Sequence, residues 1–205
     1  MAVGLGTMRE ELTETSVDKL FTYGEADRLI ARPKAQEDLE KIAKSERGDH
    51  RLRVLAQELL LLLGKDPDPK MVRIYCEAVP GAFMHNWWGL PGHHLGRLGE
   101  NLVRFGEAAL PYLVTEFDDP DQIRYLGAEA AICRERKYSV GDLMAWLACR
   151  ILDRPFPDGV DPDVRMAPRM QLRDELAAKL SSEKSERKAA VEEKKKERKR
   201  KRASK

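Results

Sequence analysis

The sequence predicts an all-α protein built from short antiparallel helix pairs. Apolar residues recur at three- and four-residue steps along most of the chain, and no segment keeps the two-residue alternation of a strand. The clearest stretch follows Gly106, where Leu110, Leu113 and Phe117 share one helix face. Gly106 is suited to end the preceding helix, and residues 118–120 (Asp-Asp-Pro) stop the next one. Because short helices with one apolar face need a neighbour to cover it, we expect these pairs to stack.

Five helices are expected before residue 80. The strongest is 51–63, in which leucines recur at helical spacing, Asp49 is a good N-cap and Gly64 a good stop. Gly48 and Asp49 separate it from a charged segment with only a thin apolar stripe, so we place a boundary there. The expected helices are residues 10–20, 25–31, 36–46, 51–63 and 70–79.

Two helix pairs and a linker are expected in the second half of the chain. Ser139 and Asp142 have the Ser-x-x-acid spacing of a capping box at the start of the last helix. Residues 154–168 hold four prolines and a glycine, which favour a linker, and the ordered body should end near it. The two pairs are 93–105 with 107–117, and 121–133 with 139–152. We therefore divide the chain into an N-terminal helical region (1–48), a helical domain (49–153), a proline-rich linker (154–170) and a charged basic tail (171–205).

Length and cysteine usage limit the class of protein. At 205 residues the chain can form one domain with a core plus an extension. No apolar run approaches the roughly 20 residues that span a bilayer, and no apolar segment near the N-terminus suggests a secretion signal. Cys76, Cys133 and Cys149 are widely spaced and form no CxxC pair. We therefore expect free thiols and a cytoplasmic location.

The net charge of +2 hides an uneven distribution. Residues 181–205 hold twelve Lys or Arg and five Glu, which leaves a charge of −5 on residues 1–180. The tail has few apolar residues, so we expect a solvated, fraying helix or disorder. Its cations would attract phosphate by releasing counterions, with poor sequence preference because no aromatic is present to stack on bases. The expected polyanion contacts are Lys194, Lys195, Lys196, Arg198, Lys199, Arg200, Lys201 and Arg202.

Three other interpretations of the basic tail stay open. The same charges would attract an anionic membrane surface, or act as a nuclear import signal in a eukaryote. A run of cations can also serve only to keep a chain soluble, without a dedicated partner.

The segment 80–92 is the irregular part of the predicted helical domain. It combines two prolines and three glycines with several aromatic residues. An exposed groove lined by Trp87 and Trp88 would suit a partner or ligand, because aromatic side chains are enriched at binding hot spots. His85 and His93 belong to the same candidate surface. The alternative is a rigid loop whose aromatic side chains pack over the helices.

Signatures of catalysis and of metal binding are weak. Cys76 or Cys133 is the candidate to complete a metal site with the histidines. The histidines, however, lack the four-residue spacing of a helical metal pair, so we expect no metal or cofactor. No GxSxG, phosphate-binding glycine loop or HExxH motif is present. Arg134 and Arg136 would lower the pKa of the Cys133 thiol, but an inert helical cysteine is the simpler interpretation. Asp118, Asp119 and Asp121 are better explained as a helix stop and cap. We therefore predict no catalytic residue and a protein that is not an enzyme.

Residues 50–153 resemble HEAT-type helical repeats. The resemblance rests on the glycine, early proline and Asp-Asp stop of GEAALPYLVTEFDD. More loosely, NWWGLPG, GEAALPYLV and RYLGAEAAICRERKYSVGDLMAWL are similar to a group of uncharacterised bacterial proteins with HEAT-like helices. The resemblance implies an α–α solenoid with a binding or scaffolding role and no catalytic residues. A compact helical bundle is the alternative fold.

Three functional hypotheses follow from the sequence. The first is a non-catalytic scaffold that binds a protein partner through a helical surface and the Trp-rich loop. The second is a nucleic-acid-associated protein tethered by its basic tail. The third is a small metal-binding protein or enzyme that uses the histidines of the loop.

Overall fold

The computed structural model describes residues 7–45, 49–81 and 83–203, and side chains throughout these except at 187 and 196–203. Its fold is all-α, as predicted. The helices are α1 (Met8–Glu14), α2 (Val17–Phe21), α3 (Glu25–Ile30), α4 (Ala35–Ala43), α5 (His50–Leu62), α6 (Val72–Ala78), α7 (Arg97–Val103), α8 (Leu110–Leu113), α9 (Gly127–Arg136), α10 (Val140–Ile151) and α11 (Pro162–Ala203). Strands β1 (Gly89–Leu90) and β2 (His94–Leu95) pair antiparallel in a small hairpin, with Gly89 opposite Leu95. Short 3-10 turns precede α6 and flank α8.

The N-terminal helices share one hydrophobic core with the rest of the body. Leu12 of α1, Leu39 of α4, Leu55 of α5 and Leu143 of α10 are all fully buried in the same cluster. Helix α4 packs along α5, and α1 contacts both. The Arg51 side chain also ties α5 to the end of α1 through main-chain carbonyls. The N-terminal region therefore packs on the helical domain, which the sequence left open. Gly48, the predicted separator, lies outside the described residues.

Several predicted helices have different bounds in the structure. The predicted helix 93–105 begins only at Arg97, after β2, and the predicted helix 107–117 is α-helical only over Leu110–Leu113, between two 3-10 turns. Local chemistry explains two further differences. The predicted helix 10–20 is divided into α1 and α2, because the Ser16 side chain accepts a hydrogen bond from the Lys19 N–H and starts a new helix. The predicted helix 121–133 begins only at Gly127. The residues before it are not helical, and the Val140 N–H donates to the Asp121 carbonyl at 2.8 Å.

Helix α11 begins inside the segment predicted to be a linker. Asp161 caps it by accepting a hydrogen bond from the Asp163 N–H at 3.0 Å, and Pro162 takes the first helical position. The helix then passes through Pro168 and continues to Ala203. The non-helical connection is thus residues 152–161 rather than 154–170. Within the described part of the chain, no helix is long and apolar enough to span a membrane.

Candidate functional site

A buried ion cluster fixes the first turns of α11 to the body. Arg165 donates from Nη2 to Oδ2 of Asp142 at 3.0 Å, and Arg169 donates from Nη1 to Oδ1 of the same carboxylate at 2.8 Å. Arg165 and Asp142 are both buried. The carboxylate also completes the predicted capping box, since it accepts from the Ser139 N–H at 3.1 Å. Asp142 therefore caps α10 and anchors α11 at once.

The Arg165 guanidinium is held on several sides. It lies 4.7 Å from the centre of the Tyr138 ring, in a cation–π arrangement. It also donates to the carbonyl oxygens of Gly159 and Arg136, at 2.5 and 2.8 Å. A planar group with five donors can satisfy this many acceptors together. The first turns of α11, residues 162–169, therefore have one defined position, and we call them the root of the helix.

Beyond this root, α11 extends past the body. Leu172 and Leu176 are the last buried residues of the helix, and Lys179 makes its last ion pair with the body, to Glu107 at 2.8 Å. We call residues 181–203 the distal segment; at 1.5 Å per residue it is about 35 Å long. Every described side chain from Lys184 onward is exposed.

The predicted polyanion contacts lie at the far end of this segment. Lys194 and Lys195 are exposed. For the six other predicted contacts the structure describes only the helical backbone that carries them. These are Lys196, Arg198, Lys199, Arg200, Lys201 and Arg202.

A groove of about 1120 Å³ separates the distal segment from the body. One side is formed by α6, α8 and the turn before α8, the other by α11. The body side contributes Val72, Glu107, Ala108, Leu110, Pro111 and Tyr112. The α11 side contributes Leu176, Lys179, Leu180, Glu183, Lys184, Lys188, Val191, Glu192 and Lys195. We call the body side, which is largely apolar, the floor of the groove. We call the α11 side, which contains four lysines, its wall.

The two tryptophans of the loop have different environments. Trp88 is fully buried, with its ring edge-on to Tyr75 at 6.2 Å and tilted against Phe83 at 6.1 Å. Trp87 is half-buried, 5.8 Å from the Phe21 ring, and lines a surface cavity of about 300 Å³. The predicted groove lined by both rings is therefore not formed, because Trp88 belongs to the core and only Trp87 reaches the surface.

The histidines in and directly after the loop also differ in how far they are exposed. His85 is buried, and its Nδ1 accepts a hydrogen bond from the Arg124 N–H at 2.8 Å. Burial lowers the pKa of its imidazole. His93 is exposed, and His94 lies 2.8 Å from Glu129 at the surface. Within residues 7–45, 49–81 and 83–203, no three His, Cys, Asp or Glu side chains converge as metal ligands.

The three cysteines are buried, free thiols. Burial raises the pKa of Cys76 to about 12 and that of Cys149 to about 11. It also raises the pKa of Cys133, and this effect outweighs the attraction of Arg134 for a thiolate. Burial therefore opposes the activation of Cys133 by its neighbouring arginines.

Sequence reasoning missed a second buried polar cluster, centred on Glu58. This fully buried carboxylate accepts hydrogen bonds from Tyr75 Oη at 2.7 Å, Arg97 Nε at 2.7 Å and Asn101 Nδ2 at 2.8 Å. Arg97 in turn lies 4.5 Å over the ring of Phe21. The cluster joins α5, α6 and α7, and its Tyr75 ring packs against Trp88 of the Trp-rich loop. The available signal was a glutamate placed among the leucines of the strongest predicted helix.

Sequence reasoning also missed Arg165 and Arg169, which it left in the predicted linker. The signal there was an Asp-Pro pair followed by arginines four residues apart, which share a helix face. Comparison with protein-family models, with curated proteins and with solved structures finds no match to this chain. Its function must therefore be inferred from its own geometry.

Proposed function

We propose that this chain is a non-catalytic binding protein, in which a HEAT-like helical body holds α11 as a projecting helix whose basic end contacts nucleic acid. The observation that carries the proposal is the ion cluster of Asp142 with Arg165 and Arg169, which fixes the root of a helix that continues to Ala203. A helix held in this way presents its charges at a defined distance from the body. The Gly106 backbone, with φ of 60° between α7 and α8, supports the helix-pair part of the proposal.

The charge of the distal end favours phosphate as the ligand. Residues 194–205 contain nine Lys or Arg and one Glu. Clustered cations bind nucleic acid chiefly by releasing the counterions condensed on its backbone. Residues 181–205 contain no aromatic side chain that could stack on a base. Binding is therefore expected to depend on salt and to be nearly independent of base sequence.

The test measures fluorescence anisotropy of two labelled 20-base-pair duplexes of unrelated sequence. We expect similar affinity for both and a linear fall of log K with log salt, with a slope of about −0.9 for each neutralised phosphate. The double variant Lys194→Gln/Lys195→Gln should reduce that slope. The matched control is Lys41→Gln/Lys44→Gln at the C-terminal end of α4, which removes the same charge from the body. Salt-independent binding, or equal effects of the two double variants, would contradict the proposal.

The absence of catalysis and a cytoplasmic location are parts of the same proposal. Buried thiols with raised pKa values are poor nucleophiles, which supports a binding role. Free cysteines are typical of a reducing compartment.

A second candidate function is the binding of a protein partner at the surface around Trp87. The specific observation is that Trp87 and Leu126 line one surface cavity, with Leu126 59% exposed. Aromatic and Arg side chains are enriched at interface hot spots, and Arg97 lines the same cavity.

The two tryptophans provide the test of this candidate. Trp87→Ala should weaken capture of a partner from native lysate while the melting temperature changes little. Trp88→Ala should instead destabilise the fold by about 3–5 kcal/mol, as expected for a buried aromatic residue. Unchanged recovery of every captured protein by the Trp87 variant would exclude this surface.

A further inference from the structure

We infer that the groove between the distal segment and α8 binds an acidic amphipathic helix of a protein partner. The inference does not depend on the nucleic-acid proposal. It uses the face of α11 that is turned toward the body, whereas phosphate binding requires only the charge at the far end of the helix.

The first observation is a pair of apolar side chains on the side of α11 that faces the body. Leu180 and Val191 are eleven residues apart, which is three helical turns, so they lie on one side of the helix. Both line the groove opposite Val72, Pro111 and Tyr112. Val191 is 53% exposed although it faces this apolar floor. Apolar groups on both sides of the groove would be covered by an apolar helix face bound between them.

The second observation is the charge of the α11 wall. Lys184, Lys188 and Lys195 line the groove beside Val191, and no salt bridge joins them to another side chain that the structure describes. Glu183 and Glu192 also line this wall, so the lysines are in excess. Across the groove, Glu107 is already paired with Lys179. An occupant with acidic side chains flanking its apolar face would therefore complement the wall.

The size and charge of the groove select among possible occupants. It follows α11 from Leu176 to Lys195, about 28 Å at 1.5 Å per residue, which is enough for a helix of four to five turns. The distal segment of a second copy would fit this length. It is disfavoured by charge, because residues 181–203 hold eleven Lys or Arg and five Glu, an excess of six positive charges that would face the lysine wall.

The experiment uses the full chain and two labelled 16-residue peptides of identical composition. One places leucine on a single helix face with glutamate on the flanks, and the other scrambles this order. We expect the patterned peptide to bind at least about tenfold more tightly, a difference typical of one or two buried apolar side chains. Both peptides carry the same charge, so attraction to the basic end of α11 cancels in the comparison.

Matched variants locate the binding site. Val191→Glu should remove the preference for the patterned peptide, because it replaces an apolar side chain of the groove with a charge. The control Val164→Glu changes a residue of the same helix that is 61% exposed and does not line the groove, and it should leave the preference intact. Lys188→Glu should weaken binding of the patterned peptide more than Lys194→Glu, since only Lys188 lines the groove.

Three results would overturn the inference. The first is equal binding of the two peptides. The second is a preference that Val191→Glu and Val164→Glu affect alike. The third is displacement of the patterned peptide by phosphatidylserine vesicles with the same dependence on Val191, which would assign the groove to a lipid surface. Loss of duplex binding in the lysine variants of the preceding section would leave this inference unaffected.

Discussion

At the scale of single residues, Asp142 has the largest structural role. Its carboxylate receives hydrogen bonds from Arg165, from Arg169 and from the Ser139 backbone. Desolvation makes a buried ion pair a modest source of net stability, but loss of one partner leaves an uncompensated buried charge. The main role of the cluster is therefore to position α11 on the body.

Asp142→Asn tests this role. The substitution keeps the shape of the side chain but leaves the buried Arg165 guanidinium without an anion. We expect a loss of about 3–5 kcal/mol in the free energy of unfolding, measured in urea. The control Glu175→Gln removes the partner of Arg154 from an ion pair whose side chains are 52% and 46% exposed, and it should cost less than about 1 kcal/mol. Equal effects of the two variants would show that the cluster is not a special anchor.

His85 gives a prediction on pH. Burial lowers the pKa of its imidazole below the usual 6.5, so the folded protein binds this proton less readily than the unfolded chain. Its contribution to stability is complete above about pH 6.5 and is lost as the pH falls below that value toward the folded pKa. The stability of wild type should therefore fall more between pH 7 and 5 than that of His85→Gln. Exposed His93→Gln should follow wild type, and parallel curves for wild type and His85→Gln would contradict the account.

At the scale of elements, α7 lies unusually close to the Trp-rich loop. A Cβ added at Gly99 would overlap the carbonyl oxygen of Trp88, so the glycine lets the helix reach the loop. On an ordinary helix surface, Gly→Ala stabilises by about 1 kcal/mol. Here Gly99→Ala should reverse that sign and cost about 1–3 kcal/mol, because helix and loop must separate. Thermal unfolding measures the difference.

Gly81→Ala serves as the matched control for Gly99→Ala. An added Cβ at Gly81 meets no atom within 4 Å, so its melting temperature should stay close to that of wild type. If Gly99→Ala were as stable as wild type, the close approach of α7 to the loop would not be a constraint on the fold.

At the scale of the whole molecule, the first part of α11 packs on the body, whereas the described side chains from Lys184 onward are exposed. A chain that ends at residue 180 keeps Arg165, Arg169 and Leu176, so it should melt like the full chain while losing helical signal. A chain that ends at residue 161 leaves Asp142 without both arginines and removes Leu172 and Leu176 from the core. It should melt at a markedly lower temperature, measured by circular dichroism. Equal melting of the two truncated chains would contradict a docked root.

The sequence by itself determined the features that arise from neighbouring residues. The all-α class, the strongest helix (α5) and the capping box of Ser139 and Asp142 were predicted from apolar spacing and from side chains three residues apart. The positive charge at the end of α11 likewise follows from the composition of the sequence alone. These features are local, because a helix and its caps depend on residues within one or two turns.

Only the tertiary structure decided which of these residues meet and which are buried. Trp87 and Trp88 are adjacent in sequence, yet one reaches the surface and the other lies in the core. Asp142 pairs with Arg165, which lies in the segment 154–170 that composition predicted to be a linker. The groove exists because α11 leaves the body after Leu176. Such outcomes depend on contacts between distant parts of the chain and on which face each neighbour covers, and hydrophobic periodicity carries no information about either.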